Sequence, residues 1–286
     1  MYQYEYKTLH ELMDAATTHN LSLSEVVVRH EMETSEQTEE AVRSRMEGRL
    51  AVFKESIDAG LNDTEKSVSG LVGGDADKLL KAAPKLLGPL AKKAAVYALA
   101  VSEANAKMFK IVACPTAGSC GIVPAVMTAV AEELDVDTET SVNALFTAAG
   151  VGAVVSRNAS VAGAVGGCQA ECGTAAAMAG GTNDQILQAF ALCMKNTLGL
   201  ACDPVAGLVE VPCVKRNACY AILAITAAEM ALAGVRSVIP PDEVIEAMNE
   251  IGRMMPVALK ETSDGGLAKT ATGKAIAERL ERSMAE

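Results

Sequence analysis

Residues 34–62 read TSEQTEEAVRSRMEGRLAVFKESIDAGLN, and this stretch decides the fold class. Val42, Met46, Leu50, Phe53, Ile57 and Leu61 recur at threes and fours with charges between them, the period that lines up one face of an α-helix. Thr34 or Ser35 is suited to cap its start. The pattern predicts one long amphipathic helix, ending where Gly60, Gly70, Gly73 and Gly74 break the periodicity.

Helix signals resume beyond that loop in pieces, broken by Pro84 and Pro89, up to about Met108. Residues 111–235 differ in texture. They are rich in Gly, Ala and Cys, and the whole chain has only five tyrosines, four phenylalanines and no tryptophan. Small residues let helices approach closely. KIVAC (110–114) and VEVPCV (209–214) are the only short strand candidates, and Pro212 argues against the second as an interior strand. IPPDEVIEAMNEIGRMM (239–255) carries a helix start: Pro241 suits the first turn, Asp242 and Glu243 favour the positive dipole end, and Val244, Ile245, Met248 and Ile251 form an apolar face. The expectation is a mainly α protein with Gly/Ala-rich loops: an N-terminal helical layer over residues 1–70 and a helical catalytic domain over 71–286, or the two as one continuous domain.

Fifty per cent hydrophobic residues in 286 is ample for a buried core. A net charge of −11 and a pI near 4.9 exclude a phosphate-binding basic surface, so neither nucleic acid nor an anionic membrane is expected as a partner. The longest charge-free run, Ile111 to Ala131, is interrupted by Pro115, Gly118 and Pro124 and makes a poor membrane helix. MYQYEYKTLHELMDAA lacks the pattern of a secretory signal. A cytoplasmic location follows as an expectation, and in that reducing setting the eight cysteines point to metal binding, catalysis or burial in preference to disulfides.

Five of those cysteines fall in GGCQAECG (166–173) and LACDPVAGLVEVPCVKRNAC (200–219). Cys168 and Cys172 would share a helix face, but their spacing alone is weak evidence for metal. Cys202 and Cys213 each lie within two residues of a proline, which stiffens the backbone and suits a fixed ligand. No zinc-ribbon spacing is present, and His10, His19 and His30 all lie in the first 30 residues.

Taken together, CPTAGSCGIVPAV, RNASVAGAVGGCQAECG, NTLGLACDPVAGLVEVPCVKRNA and ETSDGGLAKT closely resemble the α chain of the bacterial iron–sulfur L-serine dehydratases. The likeness extends to LSLSEV, GLVGGDADKL and MALAGVRSVIPPDEVIEAM, nearly the whole chain. It implies a [4Fe–4S] cluster held by Cys168, Cys202 and Cys213, no pyridoxal phosphate, L-serine as substrate, and a separate β chain that completes the site. Cys172 falls where the family tolerates other residues such as Val, and is assigned to packing with Cys114, Cys120, Cys193 and Cys219. Some single-chain relatives end in a cysteine that reaches the cluster; this chain ends ERSMAE.

Such chemistry needs groups for the substrate's carboxylate and ammonium. The turn PTAGSCG offers Thr116, Gly118, Ser119 and backbone N–H groups as a carboxylate cradle. Asn158 and Ser160 in RNAS, and Arg216 and Asn217 in KRN, are further substrate-binding candidates; Arg216 is equally suited to cap a helix or pair with Glu210. Glu171 and Lys215 are the candidate proton-transfer groups, Glu171 also being placed to support the cluster from its second shell. Rival readings are L-cysteine desulfuration on the same cluster, and a non-catalytic iron–sulfur subunit. A pyridoxal-phosphate fold would need more strand than this sequence offers.

Overall fold

The long helix begins after Thr38, not after Thr34 or Ser35, in the computed structural model, which describes residues 2–83, 85–177 and 182–285. Helix α1 (Leu9–His19) leads into α2 (Leu23–Ser35), which runs through both expected caps. It stops at Glu36, whose left-handed φ of 54° turns the chain. Thr38 then accepts the Ala41 N–H at 3.3 Å and opens α3 (Glu39–Asn62) with Glu39 and Glu40 in its first turn, where the helix dipole favours them. The buried face of α3 is Val42, Met46, Leu50, Phe53, Ser56, Ile57 and Gly60; Leu61, expected on the same face, is half-buried.

Helices α4 (Asp75–Lys81) and α5 (Pro89–Ala106) follow the glycine-rich loop; Pro84 lies outside the described residues. Nearly every residue of α5 from Ala94 to Asn105 is buried, as expected of a helix surrounded by others. It packs against α3, α4, α6 (Ile122–Glu133) and α11 (Cys213–Leu232). Small residues make this possible. A Cβ on Gly60 would stand 1.9 Å from the Ala100 carbonyl oxygen, and one on Gly121 would stand 2.4 Å from that of Ala98. The backbones themselves are therefore in contact where α5 crosses its neighbours.

The remaining elements are α7 (Thr138–Asn158), the single turns α8 (Gly163–Gly166) and α9 (Thr174–Ala177), α10 (Asn183–Lys195), α12 (Pro241–Met254) and α13 (Ala271–Ala285). Two longer interhelical segments are residues 196–212 between α10 and α11, and 255–270 between α12 and α13. Helix α12 starts at Pro241 and buries Val244, Ile245 and Met248. One apolar core runs from Tyr6 and Leu9 through α3, α5, α6, α7 and α10 to Met248, so α1 to α3 share it with the later helices.

No strand forms among the described residues; a single bridge joins Cys202 and Lys260. Both strand candidates fail for local reasons. The side chain of Asn105 takes the place of a partner strand at Val112, accepting its N–H at 2.9 Å and donating to its carbonyl at 2.8 Å. In VEVPCV, Pro212 is the residue before α11, which begins at Cys213. Among the described residues no helix is long and apolar enough to cross a membrane.

Candidate active site

Three separated segments carry Cys168, Cys202 and Cys213 to one buried region. Cys168 heads the turn Gln169–Gly173, which is π-helical, a conformation that recurs at functional sites because it displaces one residue from the regular helical face. Cys202 is held in an extended segment: its N–H donates to the Leu259 carbonyl at 2.8 Å, and its own carbonyl accepts from the Glu261 N–H at 2.7 Å. Cys213 is the first residue of α11, where the helix N-terminus favours an anionic thiolate.

The three thiols act on one another. Burial, then Glu171, Cys168 and Cys213, push the Cys202 thiol far above its ordinary value; burial, then Cys168 and Glu171, push Cys213 up to about 12. Cys168 is shifted the other way. Its Sγ lies 3.4 Å from that of Cys172; the hydrogen bond the two share pulls Cys168 down and pushes Cys172 up, and the positive charge of Arg216 lowers Cys168 further. Glu171 acts on all four sulfurs.

Among the described residues no three His, Cys, Asp or Glu side chains converge as they would on a single metal ion. A [4Fe–4S] cluster makes a different demand, because each thiolate binds its own iron and the sulfurs must surround a cube. The donor set suits it: three buried sulfurs, no competing histidine, and a cradle that a side chain would fill. A Cβ on Gly163 would lie 2.9 Å from the Cys202 Sγ and 2.7 Å from Glu171 Oε2. Thiols with raised pKa values stay neutral until a cation displaces their protons, as metal binding does.

Beside the sulfurs, the hydroxyl of Thr116 donates to Glu171 Oε1 at 2.8 Å, and the Cys202 thiol to Oε2 at 3.7 Å. Burial raises the Glu171 pKa against the opposing pull of the Thr116 hydrogen bond. Gly118 faces the same carboxylate, where a Cβ would stand 3.1 Å from Oε1. The PTAGSCG turn thus meets Glu171 as the sequence suggests, but much of its hydrogen-bonding capacity is committed. Ser119 Oγ donates to the Cys114 carbonyl at 2.8 Å, and the N–H groups of Ser119, Cys120 and Gly121 are bonded to Thr116 O, Ala117 O and Asn217 Oδ1.

The other candidates are placed differently. Asn217 is buried and serves as a tie, its Nδ2 donating to the Gly118 and Cys213 carbonyls at 2.8 Å each. Arg216 donates to the Ala201 carbonyl at 2.9 Å and pairs with Asp203 at 2.8 Å. Glu210, an alternative partner for it, instead accepts from Ser67 and Ser69. Lys215 reaches Asp75 at 2.6 Å. Asn158 and Ser160 line a cavity of about 320 Å³ with Arg157, Asn249 and Arg253; the Asn158 amide donates to the Lys7 and Val154 carbonyls. Cys120 and Cys193 are buried and Cys114 is half-buried, but Cys219 is exposed; it lies on the solvent side of α11, so packing is not its role.

One functional residue had no mark in the sequence. Gln169, fully buried, donates to the Gly166 and Met248 carbonyls at 2.9 and 3.1 Å and accepts the Gly199 N–H at 2.8 Å. It locks the backbone next to Cys168 to two other segments. Its burial and its three bonds arise only when distant segments meet on folding.

Fold and site together define a helical protein whose centre is a buried set of thiols around one carboxylate. The chain belongs to the serine dehydratase alpha chain family, whose description matches residues 18–268. It is 46% identical over 286 residues to the probable L-serine dehydratase, alpha chain, of Bacillus subtilis (strain 168), covering 96% of this chain and 95% of that one. The L-serine dehydratase, alpha chain, of Peptoniphilus asaccharolyticus is 41% identical over 280 residues, 94% and 96% of the two chains. With the L-serine dehydratase of Helicobacter pylori (strain ATCC 700392 / 26695) the identity is 34% over 295 residues, 93% of this chain but 62% of the relative; there the matched region is part of a longer chain.

Proposed function

We propose that this chain is the α subunit of a cytoplasmic L-serine dehydratase, a carbon–nitrogen lyase converting L-serine to pyruvate and ammonia, with a [4Fe–4S] cluster held by Cys168, Cys202 and Cys213. What supports this reading most is the meeting of three buried thiols from separate segments at Glu171, in a chain of the serine dehydratase alpha chain family. Elimination of water must remove a weakly acidic Cα proton and expel hydroxide from Cβ. When bound, a cluster with three protein thiolates supplies a Lewis-acidic iron for the β-hydroxyl.

This chain's own residues bind and orient. Thr116, whose hydroxyl turns from Glu171 to donate, is assigned to the substrate carboxylate with Gly118 of the same turn; Ser119, its Oγ and N–H bonded to Cys114 O and Thr116 O, is assigned to hold the turn. Glu171 is the carboxylate beside both Thr116 and Cys202, and it is assigned to hold the proton taken from Cα. Gly118 and Gly163 lie close against that carboxylate, where a Cβ would stand 3.1 Å and 2.7 Å from its oxygens. The eliminated product tautomerises to an imine and hydrolyses without further help. Lys215, engaged by Asp75, is left out of proton transfer.

His10 and His19 lie on α1 and His30 on α2, helices that carry none of the three thiols. The relatives' designation as alpha chains supports a heteromer, in which a separate β chain contributes the groups this chain does not bring to the thiols. The test is anaerobic reconstitution with that β chain, followed by assay of pyruvate and ammonia from L-serine, and of pyruvate and sulfide from L-cysteine. Serine turnover is expected. Preference for cysteine would make the protein a desulfidase, and no product from either would leave a non-catalytic iron–sulfur subunit.

A further inference from the structure

Cys172 is not merely a neighbour of a ligand. Its Sγ is 3.4 Å from that of Cys168, both side chains are buried, and the next recorded contact of the Cys172 sulfur is the Gly118 carbonyl at 3.9 Å. The turn between them is Gln169–Gly173. From 3.4 Å the two sulfurs need to close by only ~1.4 Å to reach the ~2.03–2.05 Å of an S–S bond. Cys202, by contrast, has Glu171 Oε2 as its side-chain contact, at 3.7 Å.

We propose that Cys168 and Cys172 of the cluster-free chain form a reversible disulfide on meeting a low-molecular-weight disulfide such as oxidised glutathione. Cys168 loses its proton to solvent and attacks one sulfur of that reagent; the reagent's S–S bond breaks and one glutathione leaves as a thiolate. Cys172 then attacks the Cys168 sulfur of the mixed disulfide, expelling the second glutathione, which takes up the Cys172 proton. Two protein thiols are oxidised and one small disulfide is reduced to two thiols. A small thiol reverses both steps, whereas a lone Cys168 left to stronger oxidants moves toward sulfinic acid, which no thiol restores.

The pairing depends only on the two sulfurs. Its consequence, that a ligand is masked until reduction, rests on the cluster reading above. Both sulfurs are buried, so the exchange proceeds through local opening of the turn that carries them.

The sequence supplies a convenient readout, because Glu171 lies between the two cysteines. The full chain, freed of metal by a chelator, is treated with oxidised glutathione, alkylated under denaturing conditions and cut with a protease that cleaves after glutamate. In the wild type the fragments ending at Glu171 and beginning at Cys172 should remain linked and separate on reduction. In Cys172→Ser, Cys168 should instead keep one glutathione. Free, alkylated Cys168 and Cys172 in the wild type, or Cys168 joined to Cys202 or Cys213, would overturn the proposal. Iron uptake is then read separately: the oxidised wild type should load only after a thiol reductant. Full loading without reductant overturns the masking role, while failure of even the reduced chain to take up a cluster counts against the ligand assignment and leaves the linked fragments standing.

Discussion

Replacing Asn217 with Ala tests whether this residue is a substrate contact or a strut. Its Oδ1 accepts the Gly121 N–H at 2.8 Å, while Nδ2 donates to Gly118 O and Cys213 O, also at 2.8 Å. One buried amide therefore ties the Thr116 turn to the residue that opens α11. Truncation leaves one N–H and two carbonyls without this partner, at ~1–3 kcal/mol for each group that finds no other. Taking a combined loss of ~3 kcal/mol, and ~2–4 °C per kcal/mol for a domain of this size class, the melting temperature should fall by roughly 6–12 °C. Iron content after reconstitution should fall as well, because Cys213 loses a tether.

Asn217→Asp sharpens the test. The carboxylate still accepts from Gly121 but sets negative charge against two carbonyl oxygens, so its folded pKa is raised above the unfolded value. Stability contributed by such a group is present at low pH and is lost as pH rises through the folded pKa. The Asp variant should therefore approach the wild-type melting temperature on acidification, and the Ala variant should not. An Ala variant with unchanged melting temperature and iron content but a raised KM for serine would refute the strut and make Asn217 a substrate ligand.

Three further outcomes are expected. Changing Cys168, Cys202 or Cys213 to Ala should abolish the broad visible absorption of the reconstituted chain while Cys172→Ala keeps it; a full spectrum in Cys202→Ala would remove that residue from the ligand set. Thr116→Ala should keep its iron and lose about thirtyfold in kcat/KM if the hydroxyl contributes ~2 kcal/mol to transition-state binding, and normal kinetics per cluster would transfer its role elsewhere. Asp75, held at a pKa of about 2 against an ordinary 3.8 by its bond to Lys215 and then Lys78, contributes stability that is full above about pH 4 and fades as pH falls through 2. The melting-temperature difference between wild type and Asp75→Asn should shrink over that interval, and a difference independent of pH would assign the pair no such contribution.

The helices were legible because their signal is local: the face of α3 follows from its spacing, and the start of α12 from Pro241, Asp242 and Glu243. The cap of α3 was misplaced because Thr34, Ser35 and Thr38 are all competent caps. Which one acts depends on Glu36 taking a left-handed φ, and nothing in the sequence marks that residue for it. KIVAC failed as a strand because its partner is a side chain seven residues earlier, Asn105, which pattern reasoning does not consider. At the site, the Cys168, Cys202 and Cys213 assignment came from resemblance, since their spacing of 34 and 11 residues fits no compact motif. Thr116 and Glu171 are 55 residues apart and meet only through folding. The engagement of Lys215 by Asp75 and of Arg216 by Asp203 was hidden for the same reason.

One buried polar residue close along the chain to each of the three cysteines shares a common arrangement. Gln169, next to Cys168, bonds the backbone at Gly166, Gly199 and Met248. Asp203, next to Cys202, pairs with Arg216 and accepts the Leu267 N–H at 2.9 Å. Asn217, one helical turn beyond Cys213, holds the Thr116 turn. Small, apolar packing alone sets distances loosely, because Ala and Gly surfaces slide; a directional hydrogen bond in a low-dielectric interior does not, and leaving one unmade is costly. Each thiol is therefore fixed by a polar partner within a few residues along its own segment, and that partner reaches a segment from elsewhere in the chain. The Ala- and Gly-rich texture lets the backbones come close, and these three ties select one register among the many such a texture permits. Loss of any of them should loosen the sulfurs relative to one another without touching a sulfur, so their variants should fail at cluster loading before they fail at folding.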